Sequence, residues 1–408
     1  MTSRRADAKS VERHLADVLT LLPVLDAETV EVTEADGRVL AADLSARWSL
    51  PGADVSSMDG YAVRVADVPG VLQVAGDVPA GGLPPAAVTA GVTLRVMTGA
   101  VLPAGTEAVV PVEDTDAGVT QVRVLAPTTA GAYVRRAGED TVTGALVLPR
   151  GTTLRPAQLA AAVAVGHAQL AVTRRPRVLV VGTGSELVAP GVRPGPAQVP
   201  DSNSVGLAAA VRACGATAVR IGAVPDDPAA LVAALDGAAN EHRADVVVTS
   251  GGVSMGAFDV VKAALAPLGV RFDRVAMQPG MPQAWGRWRA DGPAFLGLPG
   301  NPVSALVSFE LFARPLLRNA LGALARVPVL RVRTEAALRS PAGRRQLLRV
   351  VLQRTDSGGW LARGLGGTGS HLLTGLAVAD ALLVVPEETT EVAAGTELDA
   401  LPLPGWAA

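Results

Sequence analysis

At 408 residues, with 38 acidic against 36 basic side chains and a formal charge of -2, the chain has room for roughly two to four domains and lacks the basic surface that nucleic-acid binding requires. Aromatic residues make up 3%, too few for platforms on which bases stack. A lone cysteine, Cys214, excludes an internal disulfide and points to a reducing compartment. No apolar run reaches the length of a membrane span, and the start of the chain lacks the apolar core of a signal peptide. The expectation is a cytoplasmic protein with no nucleic-acid and no membrane partner.

Ser10 precedes Val11, Leu15, Val18, Leu19 and Leu22, the spacing of an amphipathic helix behind its N-cap, and Pro23 ends it. From residue 48 to 150 the pattern changes to short Val-rich segments at 71–75, 93–97, 108–112, 121–125 and 145–148, separated by Pro and Gly. This predicts a small β-rich domain. Residues 153–172 read as a helix of little polar surface followed by a strand. Strands at 177–181, 218–222, 245–249, 270–276 and 294–298 then alternate with helices at 202–213, 228–239, 258–266 and 303–317. That alternation predicts a mainly parallel, doubly wound α/β domain. Beyond residue 327 the chain is β-like again, at 330–333, 347–353 and 381–385. Cys214, in an Ala-rich helical pattern, reads as a small buried residue and not a nucleophile.

Three strand ends of the α/β domain carry Gly-rich polar turns: Gly182-Thr183-Gly184-Ser185-Glu186, Ser250-Gly251-Gly252-Val253-Ser254, and Gly297-Leu298-Pro299-Gly300-Asn301-Pro302-Val303-Ser304. The carboxyl ends of parallel strands share one edge of a sheet, so these turns converge where backbone N–H groups suit a phosphate. None is a Walker A loop, which ends in Gly-Lys-Ser/Thr. Glu186, Asp226, Asp227 and Asp259 accompany them. Carboxylates beside phosphates call for a bridging Mg²⁺. Asp226 and Asp227, before Pro228, read equally well as helix caps. In the β-rich region, Ser56-Ser57-Met58-Asp59-Gly60-Tyr61-Ala62, Met97-Thr98-Gly99-Ala100 and Arg135-Arg136-Ala137-Gly138-Glu139-Asp140 form polar turns. The four histidines, at 14, 167, 242 and 371, sit in separate contexts and suggest no Ser-His-Asp set.

The motifs S-S-M-D-G-Y-A, M-T-G-A, R-R-A-G-E-D, G-T-G-S-E-L, D-S-N, D-D-P, S-G-G-V-S-M-G, L-P-G-N-P-V-S and G-S-H occur in that order almost end to end. In this the chain resembles the molybdopterin molybdenumtransferase (MoeA) family and is similar to the E domain of gephyrin. The resemblance implies an elongated, multi-domain α/β plus β subunit. Its parts would be a discontinuous N-terminal region at 10–47 and 146–175, a small β-rich domain at 48–145, a molybdopterin-binding-type α/β domain at 176–325 and a C-terminal β-barrel-like domain at 326–408. It implies a homodimer that takes adenylylated molybdopterin and molybdate, cleaves the pyrophosphate linkage with Mg²⁺, releases AMP and leaves molybdenum on the dithiolene. The adenylyltransferase that makes the substrate and downstream molybdoenzymes are further implied partners. Asp59, Glu186, Asp227 and Asp259 would be catalytic, with Glu186, Asp227 and Asp259 holding the metal. Substrate-binding positions would be Thr98, Arg136, Asp140, Thr183, Gly184, Ser250, Gly251, Gly252, Ser254, Gln278, Met281, Pro299, Gly300, Asn301, Pro302, Arg349 and Ser370. Asp59, Thr98 and Asp140 of one subunit would face Glu186, Asp227 and Asp259 of the other.

One departure stands out. Where the family commonly has K-P-G-K-P, with two lysines resembling a molybdate-binding pair, this chain has Gln278-Pro279-Gly280-Met281-Pro282. Met281 neither donates a strong hydrogen bond nor carries charge. Lys9 and Lys262 are the only lysines in the chain, yet an arginine bias does not explain the change, since neither position is Arg. Arg274 and Arg287 are nearby candidates to replace the lost charge. Two other readings stay open: a non-catalytic molybdopterin-binding paralogue or carrier with a degenerate molybdate site, and a molybdopterin adenylyltransferase, against which the long β-rich N-terminal region argues.

Overall fold

The computed structural model describes residues 8–224, 227–253, 260–323, 329–356, 358–404 and 406. Asp226, Ser254 and Asp259, singled out above, lie outside the described residues, as does the start of the helix expected at 258–266. The chain divides into two compact units, one comprising Thr29–Asp36 and Ala42–Ala171, the other Met1–Glu28, Gly37–Ala41 and Val172–Ala408.

The first unit is built on a five-stranded sheet in the order Ala108–Pro111, Gly60–Val63, Val92–Val96, Gly70–Val78, Gln121–Val124. The strand at Gly60–Val63, hidden in the sequence by its polar neighbours, runs antiparallel to both partners and is buried throughout. Gly60 is needed there: a Cβ would stand 2.0 Å from the carbonyl oxygen of Val110. The neighbouring strands match the expected Val-rich segments, with Gly70–Val78 longer than expected. The helix expected at 153–172 is confined to Pro156–Ala164, followed by Gly166 at φ +104°.

The second unit holds the α/β domain. Its six-stranded sheet runs Thr217–Val224, Arg177–Thr183, Val246–Ser250, Ala294–Leu298, Pro282–Gly286, Arg271–Arg274. The first four strands are mutually parallel; Pro282–Gly286 runs antiparallel to both its neighbours, so Arg271–Arg274 runs in the direction of the first four. Alternate residues of the central strands feed two cores. Val178, Val180, Val246 and Val248 pack with Leu207 and Val211 on one face; Leu179, Val181 and Val247 pack with Leu231, Leu235 and Val261 on the other. Burial on both faces is why these strands read as unbroken apolar runs. The single helix expected at 303–317 is instead Pro302–Ser308, a π-helical turn at Phe309–Ala313, and Arg314–Ala320. Pro315 has no N–H to donate, and a widened turn is one way a helix passes such a residue. Cys214 is buried, and burial pushes its thiol up to about 11, as suits a packing residue and not a nucleophile.

Five strands of the same unit, Arg345–Arg354, Trp360–Gly364, Leu330–Thr334, Glu397–Pro402 and Ala381–Val385, close into a barrel around Val332, Val350, Leu352, Leu383 and Leu398. Arg345–Arg354 extends past the barrel, and its first residues pair in parallel with Met277–Gln278. One strand therefore ties the barrel to the 278–282 turn of the α/β domain.

The N-terminal helix Val11–Leu19 is capped by Ser10, whose side chain accepts from Arg13 N. A charged cluster anchors the helix. The carboxylate of Asp273 lies 3.6 Å from His14 Nδ1, beyond hydrogen-bond reach, is hydrogen-bonded to the Lys9 ammonium, and accepts from Trp285 Nε1 at 2.7 Å. His14, Lys9 and Trp285 hold the Asp273 carboxyl well below the usual carboxylate range, against the opposing effect of partial burial. A carboxyl whose folded pKa lies below its ordinary value of ~3.9 contributes stability that is complete above that pH and is lost as pH falls. Asp273→Asn is therefore expected to lower unfolding stability by about 1–3 kcal/mol at pH 7. The gap between variant and wild type should narrow progressively below pH ~4, which urea unfolding across that range would measure.

Candidate functional site

The three Gly-rich strand ends meet as expected, and one side chain knits two of them. Asn203, the second residue of the helix Ser202–Ala213, donates from Nδ2 to Ser250 Oγ (2.8 Å) and to the Gly300 carbonyl (2.7 Å). Ser250 Oγ in turn donates to the Pro299 carbonyl (3.2 Å). Thr183 Oγ1 donates to the Ser250 carbonyl (3.1 Å), joining the first turn to the second. Gly251 donates its N–H to Leu298 O (3.0 Å) with φ at +98°, and a Cβ there would press on Thr183 Oγ1 at 2.8 Å. Only glycine gives this turn its hand and its closeness.

These turns border a cavity of about 1200 Å³. Thr183, Gly184, Glu186, Ser250, Gly251, Gly252, Gln278, Met281, Pro299, Gly300, Asn301, Pro302 and Ser370 line it, so the structure brings together most of the positions marked in this half of the sequence. The turn carrying Gln278 and Met281 is fixed from behind. Buried Gln283 donates from Nε2 to Gly280 O and to Ser308 Oγ, both at 2.7 Å, and Val275 N donates to Met281 O at 2.7 Å. On another wall Ser370 O accepts from Val303 N at 3.0 Å, seating the Gly369-Ser370-His371 loop on the start of the helix Pro302–Ser308.

Several marked residues take other places. Asp227 is the N-cap of the helix Pro228–Glu241, its Oδ1 accepting from Ala230 N at 2.7 Å, and the described cavity lining does not include it. Arg349 is buried and gives its guanidinium to the carbonyls of Gly366, Gly367 and Leu372. Burial lowers its pKa. It braces the 366–372 loop from beneath and borders a separate cavity of about 290 Å³. Neither arginine suggested as a substitute cation reaches the main cavity lining: Arg287 donates to the carbonyls of Gly292 and Leu21, and Arg274 lies behind Met281, its Nη2 3.3 Å from the sulfur.

Sequence reasoning missed four residues. Asp201 lines the cavity, but its carboxylate caps the helix Ser202–Ala213 through Ser204 N (3.0 Å) and lies 3.6 Å from Arg220 Nη2. Asn203 sat inside the noted D-S-N motif without being given a role. Arg344 and His371 also line the cavity; Arg344 stands in a run of arginines with nothing to distinguish it.

A magnesium ion takes one or two carboxylates and completes its shell with water and phosphate oxygens. Among the described residues no group of three or more His, Cys, Asp or Glu could hold a metal. Glu186, exposed and folded back over Gly184, is the lining carboxylate not engaged as a helix cap. This donor set fits a cation shared with a phosphate ligand and does not fit an all-protein cage.

In the smaller unit, Asp59 Oδ1 accepts from Thr98 N (2.6 Å) and Thr98 Oγ1 (2.8 Å). The Thr98 backbone N–H first, and then its hydroxyl, hold the Asp59 carboxyl below the usual carboxylate range. Arg136 Nη1 donates to Asp54 at 2.6 Å, while Arg136 N donates to Glu139 Oε2 at 2.8 Å. Asp140 is exposed, its N–H donating to Leu50 O at 3.0 Å. The ladder Val55–Ser56 with Val134–Arg135 sets the Asp59 and Arg136–Asp140 loops beside one another.

Family models match nearly the whole chain: "MoeA N-terminal region (domain I and II)" at residues 9–166, "Probable molybdopterin binding domain" at 179–319 and "MoeA C-terminal region (domain IV)" at 331–403. Molybdopterin molybdenumtransferase 2 of Mycobacterium tuberculosis is 45% identical over 405 residues, covering 96% of this chain and 98% of that protein. Molybdopterin molybdenumtransferase 1 of the same organism is 40% identical over 422 residues, with the same coverage of 96% and 98%. The crystal structure of a molybdopterin biosynthesis MoeA protein from Pyrococcus horikoshii OT3 superposes with a TM-score of 0.84 at 27% identity, covering 97% of this chain and all of that one.

Asn203→Asp replaces the bridging donor with a carboxylate facing two oxygen acceptors. It is expected to cost about 1–3 kcal/mol of stability, read by denaturant unfolding. Asn203→Ala, which removes the bridge without adding charge, should cost less.

Proposed function

Because this chain belongs to the molybdopterin molybdenumtransferase family, whose members act in molybdenum cofactor biosynthesis, we propose that it moves molybdenum from molybdate onto adenylylated molybdopterin, cleaving the pyrophosphate linkage and releasing AMP. The observation that carries this reading is the cavity of about 1200 Å³ bordered by three converging strand-end turns. It offers room for a pterin joined to a nucleotide, and it is bordered by Gly-rich strand-end turns of the kind that bind phosphates.

Cleavage of a phosphoanhydride depends on positioning and on neutralising charge more than on a covalent nucleophile. In this reading the Ser250-Gly251-Gly252 turn, kept in shape by Thr183 and Asn203, holds the phosphate-bearing part of the substrate. Pro299 to Pro302, beside that turn, and Ser370 line the same cavity. Glu186 would hold a magnesium ion jointly with substrate phosphate and water, and that ion would supply charge neutralisation at the scissile linkage. Asp259 joins this set on the strength of the resemblance alone. We propose further that the working form is a homodimer in which the Asp59, Thr98 and Asp140 loops of one subunit serve the cavity of its partner.

AMP release from adenylylated molybdopterin with Mg²⁺, titrated with molybdate and separately with tungstate, tests the reading. Release that rises with molybdate is expected. Retention of the adenylylated pterin with no release at any oxyanion concentration would instead favour a carrier, which the neutral pair Gln278 and Met281 makes the natural second reading. For the shared site, Asp59→Ala and Glu186→Gln are each expected to be inactive alone. Mixed after subunit exchange they should recover up to about a quarter of wild-type activity per dimer; verified heterodimers that stay inactive would contradict the arrangement.

A further inference from the structure

The chain has two tyrosines, and the smaller unit uses them in opposite ways. Tyr61 is fully buried, and its hydroxyl donates to Gly118 O at 3.0 Å. Tyr133 is 46% exposed, and among the described residues its side chain has no hydrogen bond and no ring contact.

The backbone of Tyr133 is left-handed, with φ at +54°. That is costly for a bulky side chain, and such strain persists where the surrounding structure over-determines it, most often beside a ligand. Among the described residues two other non-glycine residues share this hand. Ala117 lies in the loop before Gln121–Val124, and Arg243 just past the helix Pro228–Glu241, where a left-handed residue commonly ends a helix. Neither carries an aromatic ring. At Tyr133 the neighbours enforce the conformation. Ala132 packs against the core of Tyr61 and Val110, and Val134 against that of Ala62 and Val96. Val109 N donates to Ala132 O (2.9 Å), Ser57 N to Tyr133 O (3.0 Å) and Val134 N to Gly131 O (3.2 Å). The chain is held on both sides of a ring that nothing in the unit uses.

The place of that ring gives it a use. Val134–Arg135 pairs with Val55–Ser56, so Tyr133 stands beside Ser57 at the start of the Met58-Asp59 loop. On the other flank of the same segment Gly99 N donates to Ser56 O at 2.8 Å, and Thr98 holds the Asp59 carboxylate. Two strand spacings put the Tyr133 and Thr98–Gly99 backbones roughly 10 Å apart. Arg135, two residues on, is exposed as well. An aromatic ring with a cation close by suits a flat heterocycle that carries phosphate. One ring serves one heterocycle; it does not make the run of platforms that a nucleic acid needs.

We infer that Tyr133 is a stacking platform for a heterocycle of the substrate, the adenine or the pterin, which share this chemistry. The inference rests on the proposed function, including the site shared between subunits.

The experiment compares full-length wild type, Tyr133→Asn and Tyr133→Phe. Asparagine adopts a left-handed backbone readily, so Tyr133→Asn removes the ring and relieves the strain, and it should unfold at or above the wild-type temperature. The readouts are KM and kcat for AMP release from adenylylated molybdopterin, calorimetric binding of AMP and of molybdopterin, and subunit association by light scattering. Tyr133→Asn should raise KM for adenylylated molybdopterin about tenfold or more with kcat little changed. Tyr133→Phe, which keeps the ring, should retain most of the affinity. A loss confined to AMP identifies adenine as the stacked ring; one confined to molybdopterin identifies the pterin. Unchanged KM and affinities in Tyr133→Asn overturn the inference. So does an equal loss in Tyr133→Phe, or a loss that follows dissociation of the subunits, which would make the ring a subunit contact. Should wild type release no AMP, the functional reading fails, and the calorimetric comparison still decides on Tyr133.

Discussion

A single amide holds the floor of the cavity together. Asn203 bonds Ser250 and the Gly300 carbonyl at once, so the ends of two adjacent parallel strands and the start of one helix share one donor group. Around that point the backbone comes close enough to demand glycine at 251, and the Thr183 hydroxyl closes the third side. Each bond is worth only about 1 kcal/mol net. Their joint effect is geometric: they fix the backbone of the 250–252 and 299–302 turns where it borders the cavity, and a site for phosphate chemistry works through such fixed dipoles. The double-sided cores beneath, with Val178 and Val180 on one face and Leu179 and Val181 on the other, give this floor a rigid support.

The second organising element is the long strand Arg345–Arg354. It closes the barrel and, at its first residues, pairs with Met277–Gln278. Cavity walls from the α/β domain and from the barrel are therefore in register through backbone hydrogen bonds. Arg349, within the strand, holds the carbonyls of the 366–372 loop that brings Ser370 to the helix start. Arg349 thus braces protein, whereas Arg344, just ahead of the strand, lines the cavity.

Much of the α/β domain was legible because its signals are local. The helix at Ser202–Ala213 and the strand at Ala294–Leu298 fall where periodicity and apolar runs predict them, and the convergence of the Gly-rich turns follows from strand parallelism. Strands that depend on distant partners were not legible. Gly60–Val63 is a strand because sheet neighbours enclose it, while Pro282–Gly286, Trp360–Gly364 and Glu397–Pro402 carry weak local patterns. The same limit applies to the site. Asp59 and Thr98 could be marked by motif, and they are indeed bonded to each other. Which arginine faces the cavity depends on carbonyls some twenty residues downstream of Arg349 and on a register with Gln278, and neither leaves a local trace. Asp227 shows the converse: a carboxylate before proline satisfies both readings in sequence, and the structure uses it as a helix cap.

The most direct measurement is anomalous diffraction at the tungsten edge from crystals of the full chain soaked in tungstate, a heavy surrogate for molybdate. Tungsten is expected inside the cavity bordered by Ser250–Gly252, beside Gln278 and Ser370. A tungsten peak elsewhere on the protein with none in that cavity, at saturating tungstate and with adenylylated molybdopterin present, would contradict the assignment of the cavity to molybdenum transfer.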